Sequence, residues 1–266
     1  MSENKVAPLP DLGQRTDEIT IYAGPCSVEG QEMFDEVAEC IKGLGLHWIR
    51  GGAFKPRTNP HSFQGLGEKG LEIMKSAGDR YGLKTLTEVM DSAHCQLVSD
   101  YVDGLQVGAR NFQNFSLLKK IGEVTADTHQ MVLYKRGFAG TIDEWLAACD
   151  YISDHGNHNI VLCERGIRTY ESATRFTLDI AAIPVVHKRS LYPICIDVSH
   201  PAGQRDLVPS LAMAAVAGGA DSLMIEVHPD PPKAKSDGPQ QLTPAQFEEL
   251  IAQLRVLADS LGKKIV

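Results

Sequence analysis

Four residues with metal-binding donors stand far apart along the chain: Cys26, His200, Glu226 and Asp237. One thiol, one imidazole and two carboxylates suit Zn²⁺, Fe²⁺, Mn²⁺ or Co²⁺, and not Mg²⁺ alone. Singly, each has an ordinary structural reading. A lone cysteine packs as a small apolar residue, and His200 can cap a helix. A second set is cationic: Arg50, Lys55, Arg110, Lys135 and Arg165. It is densest in 50–58, where Arg50, Lys55 and Arg57 fall within eight residues beside Gly51 and Gly52. Arginine binds carboxylate or phosphate through two parallel hydrogen bonds, and lysine adds a mobile point charge. Taken alone, that segment also fits a solvated loop. Gathered in one place, the five cations would repel each other without anions between them. Glu88 and Glu164 are available to neutralise some of them. The economical reading is a substrate carrying both phosphate and carboxylate, with a second phosphate subsite at Arg57 and Thr58.

The rest of the chain narrows the classes. Its 266 residues are 43% hydrophobic and 23% charged, with a formal net charge of -8. That composition supports a large core. The acidic balance argues against a nucleic-acid partner, because the basic residues are local. No stretch approaches the roughly 20 apolar residues of a membrane span. The first 20 residues carry Glu3, Asp11, Asp17 and Glu18 and no apolar core of a secretory signal. The six cysteines are scattered, with no pair at metal-finger spacing. Reduced thiols in a cytoplasm are the expectation.

Distant side chains need a scaffold that brings them together. Strand-like apolar runs occur at 19–26, 47–53, 84–89, 104–109, 131–135, 160–164, 194–199 and 222–227. Amphipathic stretches alternate with them, including 32–44, 141–154, 207–218 and 245–261. Thr141 with Glu144 forms a capping-box signature at the start of one of these. Eight strands alternating with eight helical segments over this length predict an α/β fold, a closed (β/α)8 TIM barrel of one domain spanning 19–266. Residues 1–18 are read as a short polar N-terminal arm or extra hairpin. A barrel gathers function at the C-terminal ends of its strands, where the residues of both sets lie. Strands one, seven and eight are neighbours on closure. Together, then, Cys26, His200, Glu226 and Asp237 favour one metal site on a shared rim.

These residues sit in strings that resemble one family closely. Ala-Gly-Pro-Cys-Ser at 23–27, Gly-Gly-Ala-Phe-Lys-Pro-Arg-Thr at 51–58, Ser-Phe-Gln-Gly-Leu-Gly at 62–67 and Gly-Ala-Arg-Asn at 108–111 are similar to those of 3-deoxy-D-arabino-heptulosonate 7-phosphate (DAHP) synthases. So are Leu-Cys-Glu-Arg-Gly-Ile-Arg-Thr at 162–169, the string from Asp197 to His200, Ile-Glu-Val-His at 225–228 and Ser-Asp-Gly-Pro-Gln at 236–240. The resemblance runs from about residue 20 to about 260 and is strongest to the compact type Iβ branch.

The resemblance implies a metal-dependent barrel transferase, a homo-oligomer (dimer or tetramer). Such an enzyme condenses phosphoenolpyruvate with erythrose 4-phosphate at the first step of the shikimate route to aromatic amino acids. It implies that Cys26, His200, Glu226 and Asp237 hold the divalent ion. Arg50, Lys55, Arg110, Lys135 and Arg165 match the residues that hold phosphoenolpyruvate, and Arg57 and Thr58 match the grip on the sugar phosphate. Glu88 lines the phosphoenolpyruvate and water site, with Lys55 as its catalytic companion. The related octulosonate 8-phosphate synthases carry a Lys-Ala-Asn-Arg type of sequence where this chain has Lys55-Pro56-Arg57-Thr58, which favours the four-carbon aldose. Val198 and Tyr134 depart from the family pattern without removing a functional group. With no room for a fused regulatory domain, the expectation is no intrinsic feedback inhibition, and a separate chorismate mutase acting in trans is compatible with it. Two rival classes remain: a Schiff-base aldolase using Lys135, which needs no metal, and a non-catalytic metabolite-binding barrel, which would have lost its metal ligands.

Overall fold

The computed structural model describes residues 17–56, 59 and 61–266. The expected arm and hairpin at 1–18 lie outside the described residues up to 16, and Glu18 already opens the first strand. The strands are β1 (Glu18–Gly24), β2 (Trp48–Arg50), β3 (Lys84–Val89), β4 (Gly104–Val107), β5 (Met131–Lys135), β6 (Ile160–Glu164), β7 (Ile194–Asp197) and β8 (Ser222–Glu226). They pair in parallel in sequence order, and β1 joins both β8 and β2, which closes the barrel. A further short strand, β9 (Lys264–Ile265), pairs with Glu18 and Ile19 at the start of β1.

Helices cover the outside: α1 (Gln31–Gly43), α2 (Glu68–Tyr81), α3 (Cys95–Ser99), α4 (Phe115–Thr125), α5 (Ile142–Ser153), α6 (Ala182–Arg189), α7 (Ser199–Ala202), α8 (Val208–Ala217) and α9 (Pro244–Ser260). Their apolar stripes meet the outward-facing strand residues in one continuous core, as with Phe34, Val37 and Ile41 of α1. Each such fully buried side chain contributes about 1.5–3 kcal/mol relative to exposure. The expected capping box holds α5. Thr141 accepts the Glu144 N–H, and Glu144 accepts the Thr141 N–H. Among the described residues no helix is long and apolar enough to cross a membrane.

Strand alternation decides what the barrel contains. The register places Tyr22, Trp48, Leu86, Leu133, Cys163, Cys195 and Met224 on the inner face. There they form a second, small apolar cluster with Met131 and Val161. Two residues further along each strand, the inner face turns polar: Arg50, Glu88, Gln106, Lys135, Asp197 and Glu226. The apolar layers plug the lower barrel, so these charged groups are confined to its C-terminal mouth. Glu164 has the opposite parity and points outward. There it takes a hydrogen bond from Arg136 at 2.9 Å, while Asp179 takes another at 2.8 Å.

Candidate active site and metal centre

The mouth opens into a cavity of about 300 Å³ lined in part by Lys55, Glu88, Arg110, Lys135, Arg165 and His200. Backbone geometry makes the approach to its floor possible. Gly24 has φ 147, and a Cβ there would lie 2.0 Å from the Arg50 carbonyl oxygen. The chain can therefore turn at the end of β1 and present Cys26 to the interior. Asp237 reaches the same place from the loop after β8, in a left-handed conformation (φ 50).

Four donor atoms, one each from Cys26, His200, Glu226 and Asp237, lie within 4.8 Å of one another. His200 Nε2 is 3.4 Å from Glu226 Oε1 and 3.9 Å from Asp237 Oδ2. Cys26 Sγ is 3.4 Å from Asp237 Oδ2. Bonds of about 2.0–2.3 Å to one ion separate adjacent ligands by ~3.3 Å and opposite ones by ~4.5 Å, so the spacing fits a single first-row metal.

The supporting groups also fit. Asp197 Oδ2 sits 2.6 Å from His200 Nδ1, off the ideal hydrogen-bond line, and accepts a hydrogen bond from Lys135 Nζ at 2.7 Å. The carboxylate beside Nδ1 favours the imidazole proton on that nitrogen, with Nε2 facing the other three donors. Gln240 donates to Glu226 Oε2 at 2.7 Å, and Gln241 accepts the Cys26 N–H at 3.0 Å.

Electrostatics points the same way. Burial, reinforced by Glu226, pushes the Cys26 thiol up to about 12. A divalent ion would reverse that, because a coordinating thiol is deprotonated outright. Burial pushes the His200 imidazole down, against Asp197 and Glu226, which favours the neutral ring that a metal needs. For Asp237 burial opposes ionisation, but His200 and Arg175 prevail and hold its carboxyl below the usual range.

The cationic set divides into paired and unpaired members. Arg50 meets Glu226 at 3.3 Å and donates to the Pro25 carbonyl at 2.7 Å. Lys135 is held by Asp197. Lys55 Nζ lies 2.9 Å from the Cys26 carbonyl oxygen and 3.1 Å from Sγ. Arg110 and Arg165 have no carboxylate partner among the described residues, and Arg165 has a buried, unbonded guanidinium nitrogen. The alternative in which Glu164 neutralises some of this set fails on its outward parity. Its partner is Arg136, on the other face of the wall. Glu88 receives a hydrogen bond from Gln106 at 3.3 Å at one oxygen, while Oε1 is buried with no partner among the described residues. Arg57 and Thr58 lie outside the described residues.

Sequence reasoning passed over Asp197, Gln240, Arg175 and Gln106. Asp197 and Gln240 stand inside the recognised strings, yet their roles appear only when His200 and Glu226 are beside them. Gln106 carried a signal, a polar residue in an otherwise buried strand.

Comparison with known proteins agrees with this geometry. A Thermotoga maritima protein named phospho-2-dehydro-3-deoxyheptonate aldolase is 51% identical over 263 residues, covering 99% of this chain and 77% of the relative. The crystal structure of a protein of that name from Thermotoga maritima (DAHP synthase) superposes with a TM-score of 0.90 at 51% identity, over 94% of this chain and 72% of that one. A Caulobacter vibrioides 2-dehydro-3-deoxyphosphooctonate aldolase is more distant, at 32% identity over 90% of this chain and 87% of the relative. Residues 12–261 match the family described as DAHP synthetase I. With the barrel, the cavity and the match over residues 12–261 in agreement, this chain belongs to the DAHP synthetase I family.

Proposed function

We propose that the cavity condenses phosphoenolpyruvate with erythrose 4-phosphate and water, giving 3-deoxy-D-arabino-heptulosonate 7-phosphate and inorganic phosphate. The observation that carries this reading is the pairing of one four-donor cluster with an adjoining cavity whose Arg110 and Arg165 lack carboxylate partners among the described residues. Uncompensated guanidinium groups favour a dianionic substrate. The four-carbon aldose is favoured over arabinose 5-phosphate by Lys55-Pro56-Arg57-Thr58 and by the 51% against 32% identities.

Arg110, Arg165 and Lys135 bind the phosphate and carboxylate of phosphoenolpyruvate and orient its methylene carbon toward the aldehyde. Cys26, His200, Glu226 and Asp237 would hold a divalent ion, which would supply Lewis acidity for the aldehyde. The new carbon–carbon bond leaves the enol carbon electron-poor. Water adds there, and phosphate leaves with its bridging oxygen by C–O cleavage. Glu88 Oε1, a buried acceptor without a partner among the described residues, is placed to take the water's proton, and Lys55 Nζ is placed to hold the neighbouring proton. In the metal-free protein burial opposes the charge on Lys55, and Cys26, Glu226 and Glu88 counter both burial and Arg50 and hold its pKa up. The grip on the sugar phosphate is assigned to Arg57 and Thr58 on resemblance. A cytoplasmic homo-oligomer, with Mn²⁺, Fe²⁺, Co²⁺ or Zn²⁺ as candidate ions and chorismate mutase as a candidate partner, completes the reading on the same ground.

The test is phosphoenolpyruvate consumption with either aldose, with and without chelator. Turnover is expected with erythrose 4-phosphate, to be lost on chelation and restored by a divalent ion. Chelator-resistant turnover with borohydride trapping at Lys135 would support the Schiff-base route instead. Glu88 gives a separate prediction. A Cβ at Gly108 would lie 2.0 Å from Glu88 Oε1, so Gly108→Ala must displace that carboxylate. The expected loss in kcat is roughly 10- to 100-fold, the scale for an ångström-sized misplacement. Wild-type kcat in the alanine variant would remove Glu88 from the proton path.

A further inference from the structure

Two phenylalanines stand where a core residue would not. Phe138 follows β5 and Phe176 lies in the segment between β6 and α6. Both are half-buried, and neither packs among the described core residues. They stack on each other, with centroids 5.0 Å apart and planes 14° from parallel. The Arg165 guanidinium lies over both rings, 4.3 Å from the Phe176 centroid and 4.9 Å from that of Phe138. Arg110 lies over Phe138 from another strand end, at 5.7 Å.

The rings are held in place. Ile167 and Thr177 exchange two backbone hydrogen bonds, which pin the segment into a narrow loop. The Phe176 N–H donates to the Pro201 carbonyl at 3.1 Å, next to His200. Gly166, with φ 91, leaves room for the ring, since a Cβ there would come within 2.7 Å of the Phe176 Cβ.

The contrast with Arg136 defines what the arrangement does. Arg136 is gripped by Glu164 and Asp179, so its charge is spent inside the protein. Arg110 and Arg165 are oriented without a carboxylate partner among the described residues. An aromatic face attracts a guanidinium through its quadrupole but carries no net charge. It fixes the plane of the arginine while leaving the N–H edge and the whole positive charge free for an incoming anion. Burial of Arg165 pushes its pKa down, yet guanidinium stays protonated, so its charge persists in the cavity.

We propose that the stacked pair Phe138 and Phe176 is a positioning element that holds Arg165 and Arg110 ready for the anionic groups of phosphoenolpyruvate. The proposal rests on the condensation described above. The rings touch arginines (Arg168 and Arg175 as well, at 5.6 and 5.9 Å) and not the reacting atoms, so their effect belongs in substrate binding and not in the chemical step.

The test is steady-state kinetics of Phe138→Leu, Phe176→Leu and the double variant, with Phe138→Tyr and Phe176→Tyr as ring-retaining controls. The double leucine variant is expected to raise KM for phosphoenolpyruvate about tenfold, within the range of partly desolvated cation–π pairs. KM for erythrose 4-phosphate should stay within about twofold, and the tyrosine variants should return KM toward wild type. Thermal unfolding, expected to shift little, checks that the fold is intact. Equal rises in both KM values, a fall in kcat at unchanged KM, or unchanged kinetics would each overturn the proposal. Should the wild-type protein not turn over the two substrates at all, the functional reading falls separately. Calorimetry with inorganic phosphate then decides the clamp: weaker binding in the double leucine variant supports it, and equal binding overturns it.

Discussion

Replacing His200 with alanine is expected to lower turnover by about a thousandfold or more and to strip the divalent ion from the purified protein. The first magnitude follows from the several kcal/mol that a metal supplies at a developing oxyanion. The second follows from geometry. His200 Nε2 faces both Glu226 and Asp237, and no other imidazole belongs to the cluster among the described residues. The fold should survive, because Asp197 keeps its hydrogen bond from Lys135 when the imidazole is gone. Cys26→Ser tests the same centre more gently, replacing a soft donor by a hard one. Metal content by elemental analysis and unfolding temperature separate a lost ion from a lost fold. Full metal loading of His200→Ala would remove this residue from the ligand set.

Arg136→Met should do the reverse, costing stability while sparing substrate binding. Glu164 is fully buried, and Arg136 is its cationic partner. Removing one member of a buried pair leaves the other desolvated, a loss of about 3–5 kcal/mol. For a domain of this size that lowers the unfolding temperature by roughly 10 °C. Arg136 does not line the cavity, so KM for phosphoenolpyruvate should hold below the transition. Adding Glu164→Gln should recover part of the stability, since the amide oxygen can still accept the Gly166 N–H now held at 2.7 Å. A tenfold rise in KM with unchanged unfolding temperature would contradict the outward placement of this pair.

The eight-strand pattern was legible because each apolar run is short, β-branched and closed by Gly, Asp or Pro. Strand ends were less so. The run expected at 194–199 stops at Asp197, since Ser199–Ala202 turns helical and takes His200 with it. The run expected at 47–53 is a continuous strand only over Trp48–Arg50, and beyond it Gly52 adds just an isolated parallel bridge to Ser27. The β9 pairing gives no periodic signal in two residues, and its partner edge on β1 is known only once the barrel is closed. That Cys26, His200, Glu226 and Asp237 could meet at one rim was legible from their types and strand positions. Their second partners were not, since Asp197 beside His200 and Gln240 beside Glu226 are contacts set by register and loop path. The split between Arg165 on aromatic rings and Arg136 on carboxylates depends on strand parity, which one residue of offset reverses.

One sulfur and three nitrogen or oxygen donors around a single ion give a distinct X-ray absorption signature at the metal edge of the zinc-loaded protein. One ion per chain is expected, with one sulfur at about 2.3 Å and nitrogen or oxygen neighbours at about 2.0–2.2 Å, the sulfur shell vanishing in Cys26→Ser. A first shell of oxygen and nitrogen alone in the wild-type protein would contradict this donor set.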